Sequence, residues 1–155
     1  MFANEYNTFS GLTVTNTATA SVRVGCTPGV GLVTICSNAT LEVAGCGTVA
    51  LGGNLALADG ACLGFNFTER QTVPLLDVTD RSVTFGSQSN VVVKVSAADG
   101  VRAKSGANVL TSGGKFAGAN VTLADGYPDW VKGVSVVDGE IVLDAKQGGL
   151  ILFVR

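Results

Sequence analysis

The sequence predicts an all-β protein whose short strands wind into a parallel β-helix, or β-solenoid, that ends in an antiparallel hairpin. Three observations lead to this prediction. Apolar residues alternate with small and polar ones in short runs, so that 46% of the chain is hydrophobic, only 14% is charged and 21 residues are Gly. A similar strand recurs after about 20 residues. Near the end, VSVV and EIVL flank Asp138-Gly139, a strong signal for a hairpin.

The repeat begins after residues 1–10, which we interpret as a lead-in strand or a loose terminus. Residues 11–14 (GLTV) return as residues 31–34 (GLVT), and residues 53–57 (GNLAL) open a third copy at a slightly longer interval. Short strands at a period near 20, with no helical phase, are typical of a solenoid, in which each coil buries its inward face against the next.

This period predicts which residues stack in the core. With a spacing of 20, Leu12 and Leu32 would share one interior column, and Val24 and Val43 would lie close to another. Regularly spaced short strands are also typical of a β-sandwich, which is the alternative fold.

The whole chain, 1–155, is predicted to be one domain. Residues 11–67 form the repeated coils. Residues 68–81 contain Pro74 and several charges, and are expected to be an irregular connection or a coil with an edge strand. Residues 82–155 supply further strands and the terminal cap, with Asp-Gly pairs marking several of the turns.

Composition also excludes several functions. The net charge is −2, there is no His, and Lys and Arg are scattered singly, so no basic patch for nucleic acid is predicted. No run approaches the ~18 apolar residues of a membrane-spanning helix, and membrane insertion is not expected. The absence of His and of a ligand-spacing motif predicts neither metal nor cofactor. The first residues lack a secretion signal, so an exported protein would carry its signal outside this sequence.

The later part of the chain resembles bacterial autotransporter-associated β-strand repeat proteins. The matching elements are a Leu-Thr-x-Gly-Gly strand at 110–114, a Gly-x-Asn strand at 118–123, a loop with Pro128 and the hairpin at 134–143. Residues 60–66 are similar to the Gly-x-x-Leu-x-Phe coil of that family. The resemblance implies an extracellular, surface-displayed β-solenoid that serves as a stalk, an adhesive segment or a passenger scaffold.

Four cysteines, Cys26, Cys36, Cys46 and Cys62, lie close together in the first half of the chain. The interval between Cys26 and Cys46 equals the expected period, which would place them one coil apart and within disulfide range. One or two disulfides and small buried core thiols are both open interpretations, whereas the lack of a C-x-x-C pair argues against zinc.

Two groups of side chains are candidates for binding or catalysis. Asp77 and Asp80 are the nearest approach to a carboxylate pair, although turn chemistry explains them more simply, and no catalytic residue is predicted. Tyr127, Asp129 and Trp130 combine aromatic rings with a carboxylate, as sugar-binding sites do. The competing interpretation is that Trp130 caps the open end of the core.

The sequence therefore predicts a non-enzymatic, extracellular structural module such as a stalk, fibre or adhesin-like segment of the cell surface. An uncapped solenoid end exposes strand edges, so head-to-tail self-assembly into filaments is expected. The candidate contact residues lie in the apolar C-terminal segment: Leu150, Ile151, Leu152, Phe153 and Val154. The alternative function is a β-helix that binds surface glycans or cleaves polysaccharides through Asp77, Asp80 and the Tyr127 loop.

Overall fold

The computed structural model describes residues 11–23, 31–45, 47–70, 73–103 and 107–146, and these ranges contain β-strands but no helix. No helix in this part of the chain could cross a membrane. The strands are β1 (Gly11–Val14), β2 (Thr19–Arg23), β3 (Leu32–Ile35), β4 (Thr40–Gly45), β5 (Val49–Ala50), β6 (Leu55–Leu57), β7 (Ala61–Phe67), β8 (Leu76–Asp77), β9 (Val83–Phe85), β10 (Asn90–Ala97), β11 (Ala107–Thr111), β12 (Asn120–Leu123), β13 (Val131–Val137) and β14 (Glu140–Ala145).

The strands form three sheets. Sheet I has the order β1-β3-β6-β9, sheet II has the order β12-β10-β7-β4-β2, and sheet III has the order β13-β14-β11-β8-β5. The chain visits the sheets in rotation, so that β3, β4 and β5 are followed by β6, β7 and β8 and then by β9, β10 and β11. We call each passage a coil and number the coils 1 to 5, with β1 and β2 in coil 1 and β12 to β14 in coil 5.

Pairing between coils is parallel in every sheet except at the end of sheet III. There β14 runs antiparallel to both β11 and β13. The hairpin predicted at Asp138-Gly139 is confirmed: Val137 pairs with Glu140, and both turn residues have positive φ, 51° and 76°. The backbone twist of a two-residue turn with positive φ at both residues matches the right-handed twist of the two strands that it joins. Parallel pairing does not fit the sandwich alternative, whose sheets are antiparallel.

The predicted register of the first coils is wrong by one position. Leu32 pairs with Gly11 rather than with Leu12, and Leu12 pairs with Val33. Since successive side chains point to opposite faces, this shift turns Leu32 outward, where it is 51% exposed, while Val33 is fully buried.

The second predicted column also needs correction, by two positions. The partner of Val43 is Val22, at an interval of 21 residues instead of the 19 that separate Val43 from Val24, and Val24 itself lies outside the described residues. The longer interval before the third copy is confirmed, because Val33 pairs with Leu55.

The core lies between the three sheets and is made of residues that stack from coil to coil. In sheet II one inward column contains Leu41, Leu63 and Val93, and the next contains Val43, Phe65 and Val95. All six side chains are at most 1% exposed. Each coil therefore buries its apolar face against its neighbours, as expected for stacked repeats.

A tight corner precedes the sheet II strand of every coil. Each corner is closed by a backbone hydrogen bond from its fourth residue to its first; the donors and acceptors are Ala18 and Thr15, Ala39 and Cys36, Ala61 and Ala58, Ser89 and Gly86, and Ala119 and Phe116. Asn38, Gly60 and Gly118 take the third position with positive φ, which Gly and Asn tolerate best. The repeated turn keeps the flanking strands in register.

Sheets II and III are joined by longer connections of variable length. The connections at 68–75, 98–106 and 124–130 contain seven to nine residues. Residues 68–81, expected to form an irregular connection or a coil with an edge strand, include β8, which is not an edge strand because it pairs with β5 on one side and with β11 on the other. Coil winding therefore continues through this region instead of stopping at residue 67, and the later coils are longer than the predicted period.

Candidate functional site

The three long connections between sheets II and III, at 68–75, 98–106 and 124–130, differ from one another in length and sequence. They leave sheet II from the neighbouring strands β7, β10 and β12, so they lie on one side of the molecule. Loops on a rigid scaffold commonly carry binding residues. This surface includes the predicted ligand-binding residues Tyr127 and Asp129.

The structure separates the three predicted ligand-binding residues. Tyr127 is 40% exposed and Asp129 is exposed, whereas Trp130 is only 6% exposed. The Trp130 ring packs edge-to-face on Phe67, with ring centroids 5.9 Å apart. No open aromatic face is left at Trp130 for a sugar to stack on, and its burial fits the capping interpretation.

Backbone hydrogen bonds fix the position of Trp130. Its carbonyl oxygen accepts the N–H of Lys146 at 2.7 Å, and the next residue, Val131, donates its N–H to the carbonyl of Pro128 at 2.9 Å. Trp130 thus ties the end of β14 to the start of β13 while its ring fills the core. This arrangement supports a structural role for Trp130.

Asp77 and Asp80 lie beside a small hollow of about 50 Å³ at the end of β8. Asp77 accepts the N–H of Thr79 at 2.8 Å, which is an Asx turn. Nearby, the Arg81 guanidinium donates to the carbonyl of Leu51 in the preceding coil at 2.9 Å. The hollow has room for a few water molecules and not for a sugar ring. These contacts make the segment a link between coils.

The four cysteines divide into two described and two undescribed residues. Cys36 and Cys62 are free thiols, whereas Cys26 and Cys46 lie outside the described residues. Burial raises the pKa of the Cys62 thiol, which disfavours the reactive thiolate. A disulfide between Cys26 and Cys46 stays a prediction. No group of three potential metal-ligating side chains occurs among the described residues.

Asp59 organises the corner between β6 and β7, where the sequence indicates an Asp-Gly turn but not the partners of its side chain. Its carboxylate accepts the N–H of Gln88 at 3.1 Å, the N–H of Asn90 at 3.2 Å and the hydroxyl of Ser87 at 3.2 Å, all from the next coil. On the other side, Ser37 donates its hydroxyl to the Asp59 carbonyl at 2.5 Å. Asp59 thus connects three consecutive coils.

The environment of Asp59 changes its acidity. Desolvation, the largest single contribution, acts to raise the pKa, but the combined hydrogen bonds from Gln88, Asn90, Ser87 and Ser89 outweigh it and hold the pKa below its usual value. The fold therefore stabilises the charged form of this carboxylate.

Asn side chains at strand starts also link coils. Asn54 accepts the N–H of Ser82 at 3.0 Å, and Asn120 donates its side-chain amide to the carbonyl of Gln88 at 3.1 Å. Asn beside a turn usually bonds the backbone of that same turn. These two side chains instead reach 28 and 32 residues along the chain, to the adjacent coil.

A second cluster, which we call the latch, fastens the hairpin to the segment after β11. Glu140 accepts the N–H of Ser112 at 2.6 Å and the N–H of Gly114 at 3.2 Å. The fully buried Ser112 donates its hydroxyl to the carbonyl of Gly139 at 2.8 Å. Lys115 donates to the carbonyls of Ser112 and Thr79.

The latch residues resemble a nucleophile with nearby ionisable groups, but their bonds show otherwise. The Ser112 hydroxyl donates to a backbone carbonyl and accepts the N–H of Lys115, at 3.1 Å. Its burial and these two bonds leave it unavailable to a substrate. The sequence signal for the latch is the Leu-Thr-x-Gly-Gly motif, whereas nothing local to Glu140 indicates that it is the partner.

The predicted self-association residues, Leu150 to Val154, lie outside the described residues. Comparisons of the chain with protein-family models, with curated proteins and with solved structures found no match.

Proposed function

We propose that the chain is a short, three-sided β-solenoid that acts as a non-enzymatic structural module, as a stalk, fibre or adhesin-like segment outside the cell. One observation carries the proposal: the polar side chains that make long-range contacts join one coil to the next. Asp59, Asn54, Arg81 and Glu140 each bond a residue at least 28 positions away. A scaffold that must hold its shape needs such links.

The likeness to autotransporter-associated repeats supports the extracellular assignment through the Leu-Thr-x-Gly-Gly motif, which here forms part of the latch. The shape of the surface supports a passive role. The hollow at Asp77 and Asp80 holds only about 50 Å³, whereas small-molecule sites usually enclose ~300 to 1,000 Å³.

The proposal is tested by offering the purified chain to a panel of polysaccharides and to a glycan array. We expect no new reducing ends and no saturable binding. Two variants make the result specific: Asp77→Asn with Asp80→Asn, and Tyr127→Ala with Asp129→Asn. Cleavage abolished by the first pair, or glycan binding abolished by the second pair without a change in melting temperature, would overturn the structural assignment.

A stalk or fibre should also resist separation of its ends. Pulling on handles attached at residues 11 and 146 should extend the chain in successive steps of about 20 to 30 residues, because the stability of stacked repeats resides in contacts between neighbours. Release of the full length in one step at negligible force would contradict the role of stalk or fibre.

A further inference from the structure

We propose that the Asp125–Gly126 bond is a site of spontaneous modification, at which the backbone rearranges through a cyclic imide to isoaspartate. The reaction is independent of the proposed function. Ala-Asp-Gly occurs three times in the chain, at 58–60, 98–100 and 124–126, and Val-Asp-Gly occurs once, at 137–139. The structure places these four Asp-Gly bonds in different environments, and the environment decides which of them can react.

The reaction has two steps and needs no reagent other than water. First, the backbone nitrogen of Gly126 attacks the side-chain carboxyl carbon of Asp125. The new N–C bond closes an imide ring, the C–O bond to the carboxyl hydroxyl breaks, and the hydroxyl leaves with the amide proton as water. Water then adds to one of the two ring carbonyls. Opening at the side-chain carbonyl restores Asp, and opening at the backbone carbonyl gives isoaspartate, whose main chain runs through the former side chain.

The folded chain can oppose ring closure in three ways. The Gly nitrogen reaches the Asp carboxyl carbon only when the backbone rotates about the Cα–C bond of Asp, which a fixed turn resists. The amide N–H must be released from any hydrogen-bond partner, because its nitrogen is the nucleophile. The carboxyl group must turn towards that nitrogen and lose a hydroxyl, which several hydrogen-bond donors to the charged carboxylate resist.

At Asp59 the fold opposes the reaction in all three ways. The N–H of Gly60 donates to the carbonyl of Asn90 at 2.9 Å. The Asp59 carboxylate is held by the three donors from the next coil described above. The turn itself is closed by the bond from the N–H of Ala61 to the carbonyl of Ala58 at 2.9 Å. Ring closure here requires the contact between two coils to open locally, which costs free energy.

Asp138 is protected by the geometry of the hairpin. It lies in the two-residue turn, with φ of 51° at Asp138 and 76° at Gly139. Gly139 is buried, and even a Cβ added to it would collide with the backbone of Gly114. Its carbonyl accepts the hydroxyl of Ser112 at 2.8 Å. Rotation at this turn would therefore disturb both the pairing of β13 with β14 and the latch.

The bond at Asp125 is held by neither kind of contact among the described residues. Asp125 and Gly126 are both exposed, at the tip of the 124–130 connection. Residues 124–127, all of them described, form an open bend without a backbone hydrogen bond from the fourth residue to the first. Gly126 has a φ of 81° and no side chain to hinder attack by its nitrogen. The backbone here can rotate without breaking contacts of the core.

Asp99 is the intermediate case. Asp99 and Gly100 are exposed, and the φ of Gly100 is 77°, close to that of Gly126. This turn is closed, however, because the N–H of Val101 donates to the carbonyl of Ala98 at 3.0 Å. We therefore expect conversion to be fastest at the open bend, slower in this closed turn and slowest at the two protected bonds.

The test is peptide mapping of the full chain during several weeks at neutral pH and body temperature. A protease that cuts before Asp leaves an isoaspartyl bond intact, and electron-transfer fragmentation locates it. In the folded wild type, Asp125 should convert faster than Asp59 and Asp138 by about tenfold or more, because the latter two react only after local opening. In water enriched in heavy oxygen, Asp125 should also gain the label fastest, since each ring opening takes up one water molecule.

The chain in urea is its own control. Once the chain is unfolded, the three Ala-Asp-Gly sites lose their separate environments and should convert at similar rates. Two variants check the chemistry at the tip. Asp125→Glu keeps the charge but would have to close a larger ring, and should abolish the signal at this position. Asp125→Asn loses ammonia instead of water, a better leaving group, and should convert faster than the wild type.

Equal conversion of Asp59 and Asp125 in the folded chain would overturn the inference, as would faster conversion at Asp99 than at Asp125. So would the absence of isoaspartate at Asp125 in a folded chain that forms it in urea. The same ranking of the three sites in urea would show that the neighbouring sequence decides it, and the fold does not. The glycan and pulling experiments use freshly purified chain, so the structural role and this site fail separately.

Discussion

The corners between sheets I and II and the connections between sheets II and III are attached to opposite ends of the sheet II strands, and they stabilise the molecule in different ways. In coils 1 to 4 the corners keep a length of three or four residues between strands, and each is closed by a backbone hydrogen bond from its fourth residue to its first. They stabilise the fold through hydrogen bonds between coils, with Asp59 at the centre. The connections reach nine residues and carry exposed polar tips.

The connections contribute to stability through single apolar residues near their ends. Leu75 closes the connection of coil 3 and is fully buried, Ala103 lies in that of coil 4, and Trp130 ends that of coil 5. The difference indicates that sequence changes are tolerated at the tips of the connections, while the corners and the returning apolar residues are constrained. Surface loops generally tolerate such variation.

Replacing the returning residue of the last connection should have the largest effect. Trp130→Ala removes a ring that is 6% exposed and packs on Phe67, and should lower the free energy of unfolding by about 3 to 5 kcal/mol. The measurement is equilibrium denaturation in urea. Tyr127→Ala, at the tip of the same connection, is the control and should change the free energy by less than about 0.5 kcal/mol. Equal effects of the two substitutions would contradict the distinction between tip and end.

A corner glycine should be the next most sensitive position. A Cβ added at Gly86 would lie 2.6 Å from both the backbone nitrogen and the carboxyl carbon of Asp59. Gly86→Ala should therefore cost about 1 to 3 kcal/mol, the usual cost of overpacking. Differential scanning calorimetry would measure it as a lower melting temperature.

The control for Gly86 is a glycine with free space around it. A Cβ at Gly133, in β13, would meet no atom within 4 Å. Gly133→Ala should be neutral or stabilising by up to about 1 kcal/mol, because Gly in a strand loses more backbone entropy on folding. If Gly86→Ala is as stable as Gly133→Ala, the corner can shift enough to accommodate the added methyl group.

The sequence allowed the strands, the parallel stacking and the final hairpin to be predicted, because alternation and turn residues act locally. The sequence did not reveal the register, that is, which residues of neighbouring strands pair with each other. The repeated Gly-Leu pairs at 11 and 31 suggest that Leu12 lies beside Leu32, but the structure pairs Leu12 with Val33, and the two alignments differ by one position. Identical letters do not reveal which of two adjacent apolar residues faces the core.

The polar links were also not predictable in detail. Asp59 stands in an Ala-Asp-Gly turn, so its local role is evident, but its partners lie 28 to 31 residues away. From the sequence, Glu140 is predicted only to lie in the hairpin. In the structure its carboxylate also accepts two backbone N–H groups from the segment that follows β11. Such contacts depend on which coils are adjacent, which no local pattern specifies. The sequence left Trp130 open to two interpretations, a sugar-binding ring or a cap on the core, and its burial fits the second.

The smallest expected effect is the loss, at acidic pH, of the stabilisation that Asp59 gives to its corner. Because the pKa of Asp59 is lower in the folded than in the unfolded chain, its carboxylate stabilises the fold fully above the ordinary aspartate pKa of about 4. This stabilisation is lost as the pH falls through the lower, folded pKa. Asp59→Asn should therefore lower the melting temperature at neutral pH, and its difference from the wild type should shrink below about pH 4.

Melting curves from neutral to strongly acidic pH would measure this convergence. The matched control is Asp99→Asn in the connection of coil 4, where the exposed carboxylate has no hydrogen-bond donor among the described residues. The melting curves of this variant should follow the wild type at every pH. If the two Asp variants respond alike, or if the Asp59→Asn difference stays constant into acid, the hydrogen bonds across the corner do not stabilise the stack, and the corners are held by their backbone turns alone.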